Sequence, residues 1–192
     1  MTSQTALNAR QTASEEGCPR EDETMPTLFI DADACPVTRE AIDAARRHKL
    51  PCVIAGDSGH NLMKHVRKGV SLEETDGFWV RILQVGQGKD SADFAIVCEL
   101  EAGDVVVTQD FGLASMALGR DAQAIGVRGQ VYDRRTIDAL MMVRHAEQVE
   151  RRKPKRERGK IQGDKHPTFT AEDRERFIRN LDELLSRVQR WG

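Results

Sequence analysis

Five aspartates in this chain have the residue type and spacing of ligands for a divalent metal ion. Asp31 and Asp33 follow a short apolar run at i, i+2, so both carboxylates share one face if the strand extends that far. Asp90 and Asp93 open a predicted helix at i, i+3, which places them on one side of its first turn. Asp110 comes directly after another apolar run. These residues are candidates for one acidic cluster.

An acidic cluster of this kind needs a cation. Carboxylates that gather at one place repel each other and have to take up protons unless a cation neutralises them. Because the set contains no His or Cys, its oxygen ligands favour Mg²⁺ or Mn²⁺ over zinc. Each aspartate also has a structural explanation, since Asp33 and Asp90 could each cap the helix that follows. The combination of residues, more than any single one, predicts the metal site.

Alternating strands and helices would position these residues. Alternation of this kind is typical of a mostly parallel sheet that is covered by helices on both faces, so the predicted fold class is α/β. Ligands bind such a sheet at the carboxyl ends of its strands, where Asp31 and Asp110 fall. The pattern does not determine the order of the strands. Strands are predicted at 27–31, 51–55, 80–85, 104–108 and 122–127, and helices at 37–48, 92–100, 111–118 and 136–150.

Two helices near the end of the chain carry apolar faces. A final helix begins after Thr170, where Asp173 three residues on forms a weak capping box. The helix at 136–150 is expected to bury Ile137, Leu140, Met141 and Val143 in the core.

Near the start of the chain, Pro36 suits the first position of the helix at 37–48, because its missing N–H would have no helical partner.

Composition limits the class of protein. The chain has 192 residues, 39% hydrophobic content and a net charge of −2, which excludes a generically basic nucleic-acid binder. Residues 1–25 lack any apolar run and are predicted to be a disordered extension, and residues 26–192 form one domain. Within it, 151–168 is a basic linker and 170–190 a helix that packs on the domain. No segment has the length of a membrane span or the pattern of a signal peptide, so a cytoplasmic location is expected.

Longer motifs resemble one known family. They are Leu28-Phe-Ile-Asp-Ala-Asp-Ala-Cys-Pro-Val37, Asp90-Ser-Ala-Asp-Phe-Ala-Ile96, Gly103-Asp-Val-Val-Val-Thr-Gln-Asp-Phe-Gly-Leu-Ala114 and Arg128-Gly129. These closely resemble the YaiI/YqxD family of bacterial proteins, which is similar to PIN-domain nucleases. The resemblance runs from about Thr27 to Leu185. It implies a PIN-like, three-layer α/β/α sandwich in which acidic residues bind one or two divalent ions that activate water against a phosphodiester.

The resemblance also assigns roles to the five aspartates. Asp31 matches the aspartate that ends the first strand, and Asp110 matches the aspartate after a later strand. Asp90 or Asp93 matches the acidic residue of a middle helix, and Asp33 is the extra carboxylate of the Asp-Ala-Asp motif. The resemblance therefore predicts a nuclease that depends on Mg²⁺ or Mn²⁺. In it, Asp31, Asp90 and Asp110 are catalytic and all five aspartates are metal ligands.

Four residues are predicted to bind the substrate, for which the family-level expectation is RNA in preference to DNA. Thr108 lies where PIN-like sites often carry a hydroxyl residue. Arg128 and the basic linker could contact phosphates, because such contacts depend on charge and need no particular sequence. Residues 151–165 have a net charge of +6. The predicted substrate-binding residues are Thr108, Arg128, Lys153 and Arg156.

Two other functions remain open at this stage. One is a phosphatase similar to the haloacid dehalogenases, with Asp31 as the nucleophile and Asp33 as the acid. Asp104 argues against it, because this residue precedes its strand, whereas the later acidic pair of that phosphatase follows one. The other is a non-catalytic RNA-binding or regulatory module whose acidic cluster holds a structural ion. Cys35 lies near the site at a helix start, where a thiolate would be stabilised, although Cys-Pro turns are commonly structural.

Overall fold

The computed structural model describes residues 25–33, 35–57, 62–65, 77–86, 91–152 and 168–190. No helix in these ranges has the length and apolar character needed to cross a membrane. A 3₁₀ turn lies at Leu62–His65. The elements in chain order are β1 (Leu28–Asp31), α1 (Thr38–His48), β2 (Cys52–Asp57), β3 (Val80–Val85), α2 (Ser91–Glu99), β4 (Val105–Val107), α3 (Phe111–Gly119), β5 (Gln123–Ile125), α4 (Arg134–Arg152) and α5 (Ala171–Val188).

Five strands of the described residues form one fully parallel sheet in the order β3-β2-β1-β4-β5. β1 is central, with Leu28 aligned to Cys52 of β2 on one side and to Val105 of β4 on the other. In chain order, β2 and then β3 are added on one side of β1, and β4 and then β5 are added on its other side. The strand order therefore reverses between β1 and β4. The predicted α/β class is confirmed.

Helices cover both faces of the sheet. Because successive side chains of a strand point to opposite faces, β1 contributes to both cores. Leu28 and Ile30 pack with buried residues of α1 and α5, whereas Phe29 packs with residues of α2, α3 and α4. The result is the expected α/β/α sandwich. The largest fully buried side chains include Phe177, Leu181, Leu184 and Leu185 of α5 and Leu113 of α3.

Two helix starts differ in how they are capped. At α5 the Thr170 hydroxyl accepts a hydrogen bond from the Asp173 N–H, and the Asp173 carboxylate accepts one from the Thr170 N–H. The predicted capping box is therefore present. By contrast, the N-cap of α1 is Val37, which offers no side-chain cap, so Asp33 does not cap this helix, and Pro36 lies in the turn before it instead of in its first turn.

The core face predicted for α4 was only half right. Ile137 is buried and Leu140 is partly buried, whereas Met141 and Val143 are 38% and 57% exposed. The helix packs on α3, and the side chain of Arg134 at its start pairs with Asp121 just beyond the end of α3. α4 has 19 residues and α3 has nine, so α4 continues well beyond its neighbour. Periodicity alone does not reveal where that neighbour ends.

The last helix docks on a turn that follows β5. The side chain of Asn180 donates a hydrogen bond of 2.7 Å to the carbonyl of Gly129, and the Arg176 guanidinium donates one of 2.7 Å to the carbonyl of Arg128. Gly129 has φ +80°, and a Cβ added there would lie 2.8 Å from the backbone of Arg176 and Phe177. Only glycine allows this close approach between the turn and α5.

Candidate functional site

The reversal of strand order places the end of β1 at the usual ligand-binding position of an open α/β sheet. Asp31 is the last residue of β1, and it lies between β2 and β4. Thr108 and Asp110 follow β4 directly, on the other side of the crevice. In doubly wound sheets a crevice forms outside the carboxyl ends of the two strands that flank such a reversal. The geometry therefore brings together residues that are nearly eighty positions apart in the sequence.

The Asp31 carboxylate is the centre of this site. It accepts a hydrogen bond of 2.7 Å from the hydroxyl of Thr108. Burial raises the pKa of Asp31 above its usual 3.8, the Thr108 hydrogen bond lowers it, and the negative charges of Asp33 and Asp110 raise it further. Asp33 and Asp110 are thus near enough to Asp31 to act on its ionisation. Three of the five predicted carboxylates converge.

Asp33 is held from the end of β2. Its Oδ1 accepts a hydrogen bond of 3.1 Å from the backbone N–H of Asp57, the last residue of β2. Gly56, just before it, makes room for this contact, because a Cβ there would lie 2.7 Å from the same oxygen. Asp57 was missed by the sequence analysis, which ended the second strand at residue 55, whereas β2 continues to Asp57. The signal was available, since any aspartate at the end of a parallel strand falls at this edge.

Asp110 is oriented by the start of α3. It is the N-cap of that helix, and its Oδ1 accepts a hydrogen bond of 2.6 Å from the N–H of Gly112. The backbone N–H of Asp110 donates a 2.9 Å hydrogen bond to the Thr108 hydroxyl. Thr108 therefore links the two aspartates, because its hydroxyl oxygen accepts a hydrogen bond from the Asp110 N–H and its O–H donates a hydrogen bond to the Asp31 carboxylate. Its contacts make it a residue that positions the acidic groups.

The other predicted site residues are placed as follows. Asp93 is half-buried in the first turn of α2, which follows β3 at the same edge of the sheet. Arg128 follows β5 and forms an ion pair with Asp173 of α5, and its guanidinium lies 6.0 Å from the centre of the Phe169 ring. Asp90, Lys153 and Arg156 lie outside the described residues, so their predicted roles stay predictions.

The donor chemistry of the site suits a hard divalent ion. Asp31, Asp33 and Asp110 offer carboxylate oxygens only, which are the ligands that Mg²⁺ and Mn²⁺ prefer. Burial is the main cause of the raised pKa of Asp31, and the charges of Asp33 and Asp110 add to it; a cation would relieve that repulsion. As the side chains stand, no group of three His, Cys, Asp or Glu residues within the described ranges is arranged to hold a metal ion. Binding would require the carboxylates to reorient.

Two further residues bear on the alternative chemistries. Burial raises the pKa of the Cys35 thiol to about 11, so this side chain is a neutral thiol and a poor nucleophile at neutral pH. Asp104 lies at the amino end of β4, away from the crevice, and accepts hydrogen bonds from the N–H groups of Thr27 and Glu101 at 2.7 and 2.8 Å. Its role in the fold is to tie the start of β4 to neighbouring backbone.

Replacing Thr108→Val is expected to raise the pKa of Asp31 further, because the Thr108 hydrogen bond lowers it. The matched control is Thr38→Val, another buried threonine, whose hydroxyl donates to the Cys35 carbonyl at 3.0 Å. Both variants should lose about 1 to 3 kcal/mol of stability through unpaired polar groups. A ¹³C NMR titration of the Asp31 carboxyl in metal-free protein distinguishes them. Equal Asp31 titration in the two variants would contradict the role given to Thr108.

Comparison with known proteins agrees with the resemblance seen in the motifs. The family described as "Uncharacterized BCR, YaiI/YqxD family" matches residues 29–187. A UPF0178 protein of Clostridium acetobutylicum is 34% identical over 160 residues, which are 83% of this chain and 97% of that protein. One from Halalkalibacterium halodurans is 32% identical over 83% of this chain and 90% of its own length, and one from Exiguobacterium sibiricum is 39% identical over 69% and 81%. No solved structure matches the chain.

Proposed function

The chain belongs to the YaiI/YqxD family, and from that membership and the geometry of its acidic site we propose that it is a divalent-metal-dependent nuclease. It hydrolyses phosphodiester bonds, and RNA is its favoured substrate. The observation that carries the proposal is the convergence of Asp31, Asp33 and Asp110 at the point where the strand order reverses. A buried carboxylate beside two others is costly for the fold, and such sites are commonly retained for function.

The residues of the site would divide the work. Asp31, Asp33 and Asp110 would hold the ion, together with Asp93 of α2 and with Asp90, which lies outside the described residues. A divalent ion bound there would lower the pKa of an attacking water and would stabilise negative charge on the phosphate. Asp31 must be ionised to take part, and the hydrogen bond from Thr108 favours that form. No covalent protein nucleophile is needed, in keeping with the neutral thiol of Cys35.

The position of Asp104 favours this chemistry over a phosphatase of the haloacid dehalogenase kind. That enzyme needs acidic groups after its later strand, at the edge where the nucleophile lies. In this chain Asp104 is at the opposite end of β4 and is engaged with the backbone of Thr27 and Glu101. At the correct edge, the segment 108–112 after β4 carries one carboxylate, Asp110, whereas the phosphatase needs an acidic pair there.

The nuclease proposal predicts cleavage that depends on metal. Purified protein is incubated with end-labelled single-stranded RNA, structured RNA and single-stranded DNA in Mg²⁺ or Mn²⁺, with EDTA controls. We expect RNA to be cleaved with either ion and EDTA to stop the reaction. Asp110→Asn should abolish cleavage. Asp43→Asn, which removes an exposed carboxylate of α1, should cleave like the wild type.

Three outcomes would overturn the proposal, each in a different way. Cleavage that persists in EDTA or in Asp110→Asn would come from another site or a contaminant. RNA binding without cleavage under either ion would favour the non-catalytic module. A phosphoryl group trapped on Asp31 after incubation with a phosphomonoester would establish the phosphatase mechanism instead.

A further inference from the structure

Two arginines at the carboxyl edge of the sheet pack on one aromatic ring. The guanidinium carbons of Arg128 and Arg174 lie 6.0 and 5.4 Å from the centre of the Phe169 ring. Phe169 is partly buried against the core between the sheet and helices α1 and α5, so the fold fixes the position of the ring. A cation–π contact in turn favours one position of each guanidinium. The ring therefore holds two positive charges near each other.

Both arginines lie at the edge of the sheet that carries the acidic site. Arg128 is in the turn that follows β5, two strands from β1, which is about 10 Å across the sheet. Arg174 forms an ion pair with Glu40 in the first turn of α1, the helix that follows β1. Because β1 ends at Asp31, the starts of α1 and α5 lie at this same edge. An oligonucleotide bound at Asp31 therefore has both arginines within reach.

The acidic partners of these arginines are more buried than the arginines themselves. The side chains of Asp173 and Glu40 are 9% and 18% exposed, whereas those of Arg128 and Arg174 are 36% and 43% exposed. Asp173 also pairs with Arg176, so three arginines share two carboxylates and the cluster has a net positive charge. A guanidinium is a planar fork of N–H donors that matches the oxygens of a phosphate group. The cluster thus presents cations, and not carboxylates, to solvent.

Other contacts already hold α5 in place. The helix is joined to the turn after β5 by the hydrogen bonds of Asn180 and Arg176 to backbone carbonyls, and its apolar side chains fill the core. Ion pairs between partly exposed side chains add little to stability. The stability of the fold therefore does not explain why two arginines are placed on one ring at this edge.

A nucleic acid that approaches the acidic site needs positive charge nearby. Three carboxylates converge there, and every phosphate of the substrate is negative as well. A divalent ion offsets this repulsion at the scissile phosphate. Phosphates further along the strand are bound by arginine and lysine side chains in contacts that need no particular base sequence. Arg128 and Arg174 are placed to supply such contacts.

We propose that Arg128 and Arg174, positioned by Phe169, bind backbone phosphates of an RNA strand whose scissile bond lies in the acidic site. The inference rests on the proposed function for its substrate. Arg128 was predicted from charge alone, and the structure adds Arg174 and Phe169. Phe169 acts through the two guanidiniums and is a positioning residue. Because the contacts are to phosphate, single-stranded DNA should depend on the same arginines.

RNA binding in EDTA tests the proposal without cleavage. The full chain is titrated into a labelled single-stranded RNA, and fluorescence anisotropy gives the Kd over a range of salt concentrations. Arg128→Gln and Arg174→Gln should each raise the Kd about tenfold. Each should also reduce the slope of log Kd against log salt by about 0.7, which is the loss of one phosphate contact on a single strand.

Arg47→Gln is the matched control. Arg47 is exposed to a similar degree as Arg174 and likewise joins α1 to α5 through an ion pair, with Asp182 at 2.9 Å. It lies in the last turn of α1, at the end of that helix far from the acidic site. This variant loses the same charge and the same kind of helix contact, and it should bind RNA like the wild type.

Phe169→Leu tests the positioning role of the ring. The substitution removes the ring and neither charge, so the Kd should rise about threefold while the salt slope stays that of the wild type. Phe169→Tyr keeps an aromatic ring and should restore the wild-type Kd. Every variant should give the far-UV circular dichroism spectrum of the wild type, which shows that its fold is intact.

The outcomes separate this inference from the proposed nuclease activity. A wild type that binds no RNA, or binding that is unchanged in Arg128→Gln and Arg174→Gln, overturns the inference. An equal loss in Arg47→Gln overturns it too, because position would then not matter. Arginine-dependent binding without cleavage in Mg²⁺ or Mn²⁺ supports the phosphate contacts and overturns the nuclease. Cleavage whose KM is the same in both variants as in the wild type overturns the inference alone.

Discussion

Asp31→Asn is expected to lower the rate of metal-dependent RNA cleavage by about a thousandfold, since a missing ligand forfeits several kcal/mol of transition-state stabilisation. The substitution preserves the size of the side chain and its ability to accept the Thr108 hydrogen bond. It removes the negative charge and replaces one acceptor oxygen with an NH₂ group. Single-turnover kinetics at saturating Mg²⁺ would measure the loss, with Asp43→Asn as the control for removing an aspartate that is exposed.

The same change should make the metal-free protein more stable at neutral pH. The folded pKa of Asp31 lies above its ordinary value of 3.8, chiefly because of burial. The stabilising contribution of its protonated form is therefore complete below the unfolded pKa and is lost as the pH rises through the folded pKa. At neutral pH the ionised Asp31 destabilises the fold, and asparagine removes that cost. Each kcal/mol gained raises the Tm by about 2 to 4 °C in a domain of this size.

Thermal unfolding with and without Mg²⁺ separates these effects. In EDTA the Tm of Asp31→Asn should exceed that of the wild type at pH 7, and the difference should shrink towards pH 3.8, where the wild-type carboxyl is becoming protonated. Added Mg²⁺ should raise the Tm of the wild type alone, because an ion that binds only the folded state stabilises it. A variant that is less stable than the wild type in EDTA would mean that Asp31 serves the fold.

Gly129→Ala is expected to cause a large loss of stability. The added Cβ would lie 2.8 Å from the backbone of Arg176 and Phe177, and the residue would keep φ near +80°. Left-handed backbone costs a side chain about 1 to 3 kcal/mol, and overpacking adds a similar amount. We expect a loss of about 3 to 5 kcal/mol, which would lower the Tm by roughly 10 °C or more.

Gly103→Ala is the matched control for this prediction. Gly103 also has a positive φ, of +93°, but a Cβ there would meet nothing within 4 Å. Its cost should be the backbone term alone, about 1 to 3 kcal/mol. Urea unfolding measures the free energy of unfolding of both variants. The difference between their two losses is the cost of the close contact between residue 129 and α5. Equal losses would show that α5 shifts to accommodate the methyl group at no cost.

The sequence predicted the structure best where a pattern has a local physical cause. The strand at Val80–Val85 agrees with the prediction residue for residue, because its apolar residues lie within one short run of the sequence. The capping box at Thr170 depends on two residues three positions apart. Met141 and Val143 were assigned wrongly to the core, because the packing of α4 on α3 decides which side of α4 is covered.

The acidic site shows the same division. The sequence by itself determined that aspartates follow β1 and β4, and the preference of α/β sheets for ligands at strand ends singled them out. It did not reveal that Thr108 bonds both Asp31 and Asp110, or that Asp57 and Gly56 hold Asp33. These contacts join segments far apart in the chain. Their partners are fixed by the strand order.

What the sequence determined is the set of elements and the residues at their ends, because periodicity, capping and strand propensity act over a few neighbouring positions. What only the tertiary structure decided is which ends meet. The placement of β1 between β2 and β4 brings Asp31 beside Asp33 and Asp110, raises its pKa, and assigns Thr108 to the link between them. Burial and charge interactions depend on distances through space, which a linear pattern does not contain.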